Sequence, residues 1–171
     1  MVSYLHTVSA RWGCHSILCI VRNEANDLVD VRTVIGQYPD VFSAAVIRNP
    51  VISCGEISST DIPDWYFAEF GLPYDSTTLM TPSLYATLFA ASPISYVDNV
   101  RAKVLLLLGE VDLRVAPTNS LTYYHALKGR DKVVEMLEFP KDSHPLDSVE
   151  ASRISWEAGR DWFVAAQNSG E

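Results

Sequence analysis

The 171-residue sequence has no apolar stretch that approaches the length of a membrane span. Its apolar runs, such as residues 104–108, reach at most five residues, whereas a transmembrane helix needs about 20. Basic residues are also scarce, because 13 lysines and arginines stand against 21 acidic residues and the formal net charge is −8. A negative average field opposes binding to phosphate backbones and to anionic lipid surfaces. The sequence therefore predicts neither a nucleic-acid nor a membrane partner.

Cysteine is rare as well. Three cysteines are an odd number, and their spacing is not that of a disulfide framework, so we expect a reducing compartment and a cytoplasmic location. Cys14, His15 and Cys19, with His6 nearby, are residue types that bind zinc. Cysteines and histidines this close in sequence arise more often by chance than as ligands, so the prediction is that the chain holds no metal.

The sequence does have the composition of one globular domain, with 48% apolar and 20% charged residues. Its second half alternates strand and helix patterns. Residues 104–108, ended by Gly109, are typical of a central parallel strand that is buried on both faces. The predicted strands cover residues 42–47, 105–108 and 133–139, and the last of them lies nearer the sheet edge. Residues 49–100 are predicted to form loops and short helices over one end of the sheet.

Two helices complete the pattern, one over residues 119–128 and one over residues 148–166. The second helix is predicted to bury an apolar stripe of Ile154, Trp156, Trp162, Phe163 and Ala166. Strands that alternate with helices in this way predict an α/β fold with a mostly parallel sheet.

Two polar residues follow the two best strands. Asp112 comes shortly after residues 105–108, and His144 comes shortly after residues 133–139. An acid followed by a histidine at the carboxyl ends of parallel strands is the order in which an α/β-hydrolase supplies the partners of its nucleophile. From the spacing alone, Asp112 is more often a residue that caps a turn, and His144 a solvated loop histidine.

Five ordered blocks of the sequence resemble one family. The blocks cover residues 45–52, 59–65, 92–95, 107–115 and 144–147. Together they are similar to the acylaminoacyl-peptidase branch of the prolyl oligopeptidase family of serine peptidases. The resemblance runs from about Ile35 to Phe163.

The resemblance implies a partial α/β-hydrolase fold, namely the C-terminal half of the sheet with flanking helices. It implies release of N-acylated amino acids from short peptides, without metal or organic cofactor, by a cytoplasmic protein that forms homo-oligomers. In this pattern Asp112 matches the triad acid and His144 the triad base. Trp65 or Phe67 would line the pocket for the acylated residue, although an aromatic side chain packed in a loop is an equally good interpretation.

The nucleophile of that family is missing from the pattern. A gapless extension from Ile35 places Ala25 where the family has serine, and the 171 residues contain no Gly-x-Ser-x-Gly sequence. Residues 1–30 do not resemble the family, so we expect residues 31–171 to be the C-terminal portion of its catalytic domain, without the β-propeller that normally lies beside it. The alternative is a non-catalytic hydrolase-like module that binds a partner, such as a full-length homologue. An esterase that uses another serine is the least supported interpretation.

Overall fold

The computed structural model describes residues 5–8, 18–22, 34–56, 67, 71–73 and 79–168, and for residues 5–8, 18–22 and 34 it describes the backbone alone. These residues form a five-stranded sheet whose strands lie side by side in the order of the sequence. The strands are β1 (Leu5–Val8), β2 (Leu18–Arg22), β3 (Phe42–Arg48), β4 (Lys103–Gly109) and β5 (Val134–Phe139).

Helices connect and flank the strands. They are α1 (Val34–Gln37), a 3-10 helix at Cys54–Glu56, α2 (Pro82–Ala90), a second 3-10 helix at Pro93–Asn99, α3 (Thr118–Lys128) and α4 (Val149–Asn168). Thr81 caps α2 by accepting the Leu84 N–H at 3.2 Å. None of the helices in the described part of the chain combines the length and the apolar character that a bilayer span requires.

Strands β3, β4 and β5 run parallel, in agreement with the strand–helix–strand pattern of the sequence. The three predicted strands and the two predicted long helices differ from the observed elements only at their ends. Strands β1 and β2 lie in a segment for which the sequence predicted no element. They run antiparallel to each other, and β2 runs antiparallel to β3. The sheet is therefore mixed, and its parallel part carries the candidate site.

Strand β4 is the central strand of that parallel part, and its residues from Val104 to Gly109 are all buried. Its side chains alternate between two apolar cores, one beneath α3 and one beneath α4. The first core includes Val104, Leu106, Tyr123 and Leu127, and the second includes Leu105, Leu107, Phe163 and Ala166. Burial raises the pKa of the Tyr123 hydroxyl, which is therefore neutral in the first core.

Helix α4 packs on the sheet with a face that differs in part from the predicted stripe. Phe163 and Ala166 are buried as predicted, but Trp156 is 68% exposed. The buried face repeats every four residues through Ser155 and Gly159. Trp156 follows Ser155 directly, and one residue along an α-helix is a rotation of about 100°. The prediction for Trp156 is therefore wrong, because its side chain points away from the sheet.

Leu106 tests the contribution of the first core. Its side chain is fully buried, and truncation leaves a cavity, so Leu106→Ala is expected to lower the free energy of unfolding by about 2–5 kcal/mol. Leu113→Ala is the matched control, since Leu113 is 67% exposed and its truncation is expected to cost less than about 0.5 kcal/mol. Urea unfolding measures both. Equal losses in the two variants would contradict this packing.

Candidate active site

Strands β4 and β5 end at the same level of the sheet. Their parallel register pairs Gly109, the last residue of β4, with Phe139, the last residue of β5. The Glu110 N–H donates to the Phe139 carbonyl at 3.1 Å just beyond this pair. The two loops that follow therefore leave the sheet side by side, and they carry Asp112 and His144.

The two loops bring Asp112 and His144 into direct contact. His144 Nδ1 lies 2.8 Å from Asp112 Oδ2, and both side chains are buried, with 6% and 0% exposure. A carboxylate only accepts hydrogen bonds, so Nδ1–H is the donor, and in the neutral imidazole Nε2 carries the lone pair. The pair predicted from the sequence is thus assembled, and the interpretation of His144 as a solvated loop histidine is wrong.

The second oxygen of Asp112 caps the turn that follows it. Asp112 Oδ1 accepts the N–H of Arg114 at 2.8 Å and the N–H of Val115 at 2.9 Å. The turn-capping interpretation of Asp112 is therefore confirmed, and it does not compete with the contact to His144. Three hydrogen bonds in different directions fix the carboxylate plane and compensate for its burial.

Asp142 ties the start of the His144 loop to the neighbouring Asp112 loop and to Ser148, which precedes α4. The Asp142 carbonyl accepts the Val111 N–H at 3.2 Å, which ties the loop to its neighbour. The Asp142 carboxylate accepts the Ser148 N–H and hydroxyl at 3.1 and 3.0 Å. Ser148 Oγ in turn accepts the Ala151 N–H at 3.1 Å, so it caps the start of α4.

Gly109 allows the His144 loop to approach the end of β4. A Cβ atom on Gly109 would lie 2.6 Å from the Ser143 carbonyl oxygen and 2.7 Å from that of Asp142. Both distances are far below van der Waals contact, and both neighbours are backbone atoms. A side chain at this position would therefore push the loop away from the sheet.

Sequence reasoning missed two residues at the end of β3. Arg48 Nη2 donates to the carbonyls of Pro145 and Leu146 at 2.8 and 2.9 Å. Asn49 Nδ2 donates to the His144 carbonyl at 2.9 Å, with a longer contact of 3.4 Å to Ser143. The signal available in the sequence was a polar pair directly after a strand, within residues 45–52, but its partners lie more than 90 residues away.

The sequence also predicted Ala25, Trp65 and Phe67 as site residues. Ala25 and Trp65 lie outside the described residues. Phe67 is 3% exposed, which favours a packed aromatic side chain over a pocket lining.

The side chains of the four residues considered for zinc lie outside the described part of the structure. Cys14 and His15 lie outside the described residues, and only the backbone of His6 and Cys19 is described. Among the residues whose side chains are described, no three histidine, cysteine or acidic residues cluster as metal ligands.

A mixed sheet whose parallel strands are flanked by helices, with an acid and a histidine in contact after two adjacent strands, is typical of the α/β-hydrolase fold class. Comparison with known proteins agrees with this class. The sequence profile of the prolyl oligopeptidase family matches residues 30–170. The chain belongs to the prolyl oligopeptidase family.

Relatives in this family carry similar names. The chain is 43% identical over 124 residues to the acylamino-acid-releasing enzyme of Rattus norvegicus. This alignment covers 72% of this chain and 17% of the rat protein. Identity to the Arabidopsis thaliana enzyme of the same name is 39% over 132 residues, or 76% of this chain and 17% of that protein. The Pyrococcus horikoshii acylaminoacyl peptidase structure is 29% identical with a TM-score of 0.52, over 65% of this chain and 17% of that chain. The chain thus spans about a sixth of the length of these relatives.

Gly109→Ala tests the close approach of the His144 loop. The added methyl group would collide with two backbone carbonyls, and overpacking of this kind is expected to lower the free energy of unfolding by about 1–3 kcal/mol. Gly159→Ala is the control. Gly159 lies inside α4, where alanine is favoured over glycine, and its added Cβ would make ordinary contacts of 3.8 Å with Val46 on β3. Chemical denaturation compares the two variants. A Gly109→Ala protein as stable as Gly159→Ala would contradict the close approach.

Proposed function

We propose that this chain carries the acid–base pair of a serine-type hydrolase that releases N-acylated amino acids from short peptides. The observation that carries the proposal is the buried hydrogen bond of 2.8 Å between His144 Nδ1 and Asp112 Oδ2. The similarity to proteins named acylamino-acid-releasing enzymes supports the substrate class.

In this proposal His144 is the general base. Its Nε2 takes the proton of an attacking serine hydroxyl and later gives a proton to the leaving amine. Asp112 holds Nδ1–H, so it selects the tautomer that carries its lone pair on Nε2, and it stabilises the imidazolium that forms. The backbone N–H groups of Arg114 and Val115 keep the carboxylate in this orientation throughout. This chemistry requires no metal and no organic cofactor.

The lack of a recognisable nucleophile limits the hydrolytic activity that we propose for the 171 residues alone. The aligned nucleophile position holds Ala25, and the sequence contains no Gly-x-Ser-x-Gly turn to expose a serine. Our proposal is therefore that residues 31–171 correspond to the C-terminal portion of the catalytic domain, with residues 1–30 as an N-terminal segment that does not resemble the family but supplies β1 and β2 to the same sheet. By themselves these residues do not turn over N-acylated peptides. We place the protein in the cytoplasm on the basis of its cysteine usage.

A second candidate is a non-catalytic hydrolase-like module. Ala25 favours it, because alanine has no group that attacks a carbonyl. The module would retain the scaffold and bind another protein, either a second copy of itself or a full-length homologue. The two candidates differ in whether Asp112 and His144 still perform acid–base chemistry when a nucleophile is supplied.

The isolated chain is expected to be silent toward an activated serine probe. We expect neither labelling by a fluorophosphonate nor release of p-nitroaniline from an acetylated amino-acid anilide, because the nucleophile position is alanine. Gel fluorescence and absorbance measure the two reactions on the folded chain. His144→Ala serves as the comparison. Labelling and turnover that disappear in His144→Ala would contradict the proposal, since a serine elsewhere in the chain would then be the nucleophile.

A chimera tests the acid–base pair directly. The 124-residue stretch of this chain that aligns with the rat enzyme would replace its counterpart there, so that the rat chain supplies the preceding segment. We expect the chimera to hydrolyse acetylated anilides, and we expect Asp112→Asn to lower its kcat by about 10⁴-fold through loss of the correct tautomer. His144→Ala is expected to abolish turnover. Steady-state kinetics provide the measurement.

Two matched variants control for the loss of an acid or a histidine elsewhere. Asp147 is exposed in the same loop as His144, and His125 is exposed on α3. Asp147→Asn and His125→Ala are expected to leave kcat within a factor of about two to three, because both residues are exposed and neither contacts the Asp112–His144 hydrogen bond. A chimera whose Asp112→Asn variant retains the kcat of Asp147→Asn would exclude Asp112 as the triad acid.

A further inference from the structure

Four consecutive carbonyl groups of the His144 loop accept hydrogen bonds from two adjacent residues, the last residue of β3 and the residue that follows it. The acceptors belong to residues 143–146, and the donors are the side chains of Arg48 and Asn49. Strand β3 ends at Arg48, so both donors lie at the same edge of the sheet as the Asp112–His144 pair. We call these two residues the β3 clamp.

Asn49 connects three strand ends through one side chain. Its Oδ1 accepts the Gly109 N–H at 2.8 Å, and its Nδ2 donates to the His144 carbonyl at 2.9 Å. Its own N–H donates to the Leu107 carbonyl at 2.9 Å. The residue is 1% exposed, and its φ of +39° is a left-handed conformation that asparagine tolerates. An amide with both a donor and an acceptor is required here, because Asn49 bridges an N–H on β4 and a carbonyl in the loop.

Arg48 holds the part of the loop that follows His144. Leu146 is fully buried and has a φ of +49°, which is unfavourable for a residue with a side chain. Arg48 donates to the Leu146 carbonyl and to the preceding Pro145 carbonyl. The loop thus keeps an unfavourable backbone conformation at the point where a charged donor is attached to it.

We propose that Arg48 and Asn49 are positioning residues for His144. By holding the backbone on both sides of the imidazole, the β3 clamp fixes the distance and direction from Nδ1 to Asp112 Oδ2. The role of the clamp in catalysis rests on the proposed function, but its effect on the geometry does not. The alternative is that the two residues only stabilise the fold, in which case their removal would weaken the protein without changing the Asp112–His144 hydrogen bond.

The test is a proton NMR experiment on the full 171-residue chain with ¹⁵N-labelled histidine. A proton held between Nδ1 and a buried carboxylate gives a separate, strongly downfield resonance, which His144→Ala assigns and Asp112→Asn removes. Asn49→Gly deletes the side-chain hydrogen bonds and still permits the positive φ. Arg48→Met deletes the donations to Pro145 and Leu146, and it decides the question if Asn49→Gly does not fold.

Asn119→Ala is the matched control. Asn119 is another buried asparagine, with 5% exposure. Its Oδ1 accepts the Ile52 N–H at a distance of 3.3 Å, and this hydrogen bond does not involve the His144 loop. We expect the resonance to be lost in Asn49→Gly and in Arg48→Met, and to remain in Asn119→Ala, with each variant folded by circular dichroism. An unchanged resonance in a folded Asn49→Gly or Arg48→Met protein would overturn the positioning role of that residue. A wild-type resonance that persists in Asp112→Asn would instead overturn the acid–base pair, and with it the proposed function.

Discussion

The parallel register of β3, β4 and β5 is the constraint on which the rest of the site depends. It places Arg48 beside Leu107, and Gly109 beside Phe139, so that three strands end along one edge. Strand β4 is buried on both faces, and a slip of one residue would exchange its two core faces. The alternation of its apolar side chains between two cores therefore also fixes where the loops that carry Asp112 and His144 leave the sheet.

Burial of the Asp112–His144 pair removes two polar groups from water, which is costly unless each polar atom has partners. The carboxylate meets this requirement with three donors, of which two are backbone N–H groups in its own turn. A buried pair of this kind contributes little to the free energy of folding. It does fix the orientation of the carboxylate and the imidazole, because few arrangements satisfy all three donors at once. Its location at the strand ends is consistent with the acid–base role that we propose for it.

The sequence predicts the parallel strands and the acid and histidine because both leave local signals, namely continuous apolar runs and polar residues just beyond them. It fails where the determining contact is remote. The bonds from Arg48 and Asn49 join residues 95 to 98 positions apart, and such bonds leave no periodicity to detect. Trp156 fails for a different reason, since a hydrophobic residue one position from the buried face still resembles part of a stripe.

Asp112 shows that a structural and a catalytic interpretation of one residue need not exclude each other. One carboxylate oxygen of Asp112 accepts backbone N–H groups of the turn, and the other accepts the imidazole N–H. The turn that Asp112 caps therefore also orients its carboxylate toward His144. The contacts that hold the pair come from residues on β3, β4, β5 and the start of α4. The hydrogen bonds described for the pair and its two loops all lie within residues 48–151. In the proposed function the geometry of the acid–base pair and the supply of a nucleophile are therefore two separate requirements.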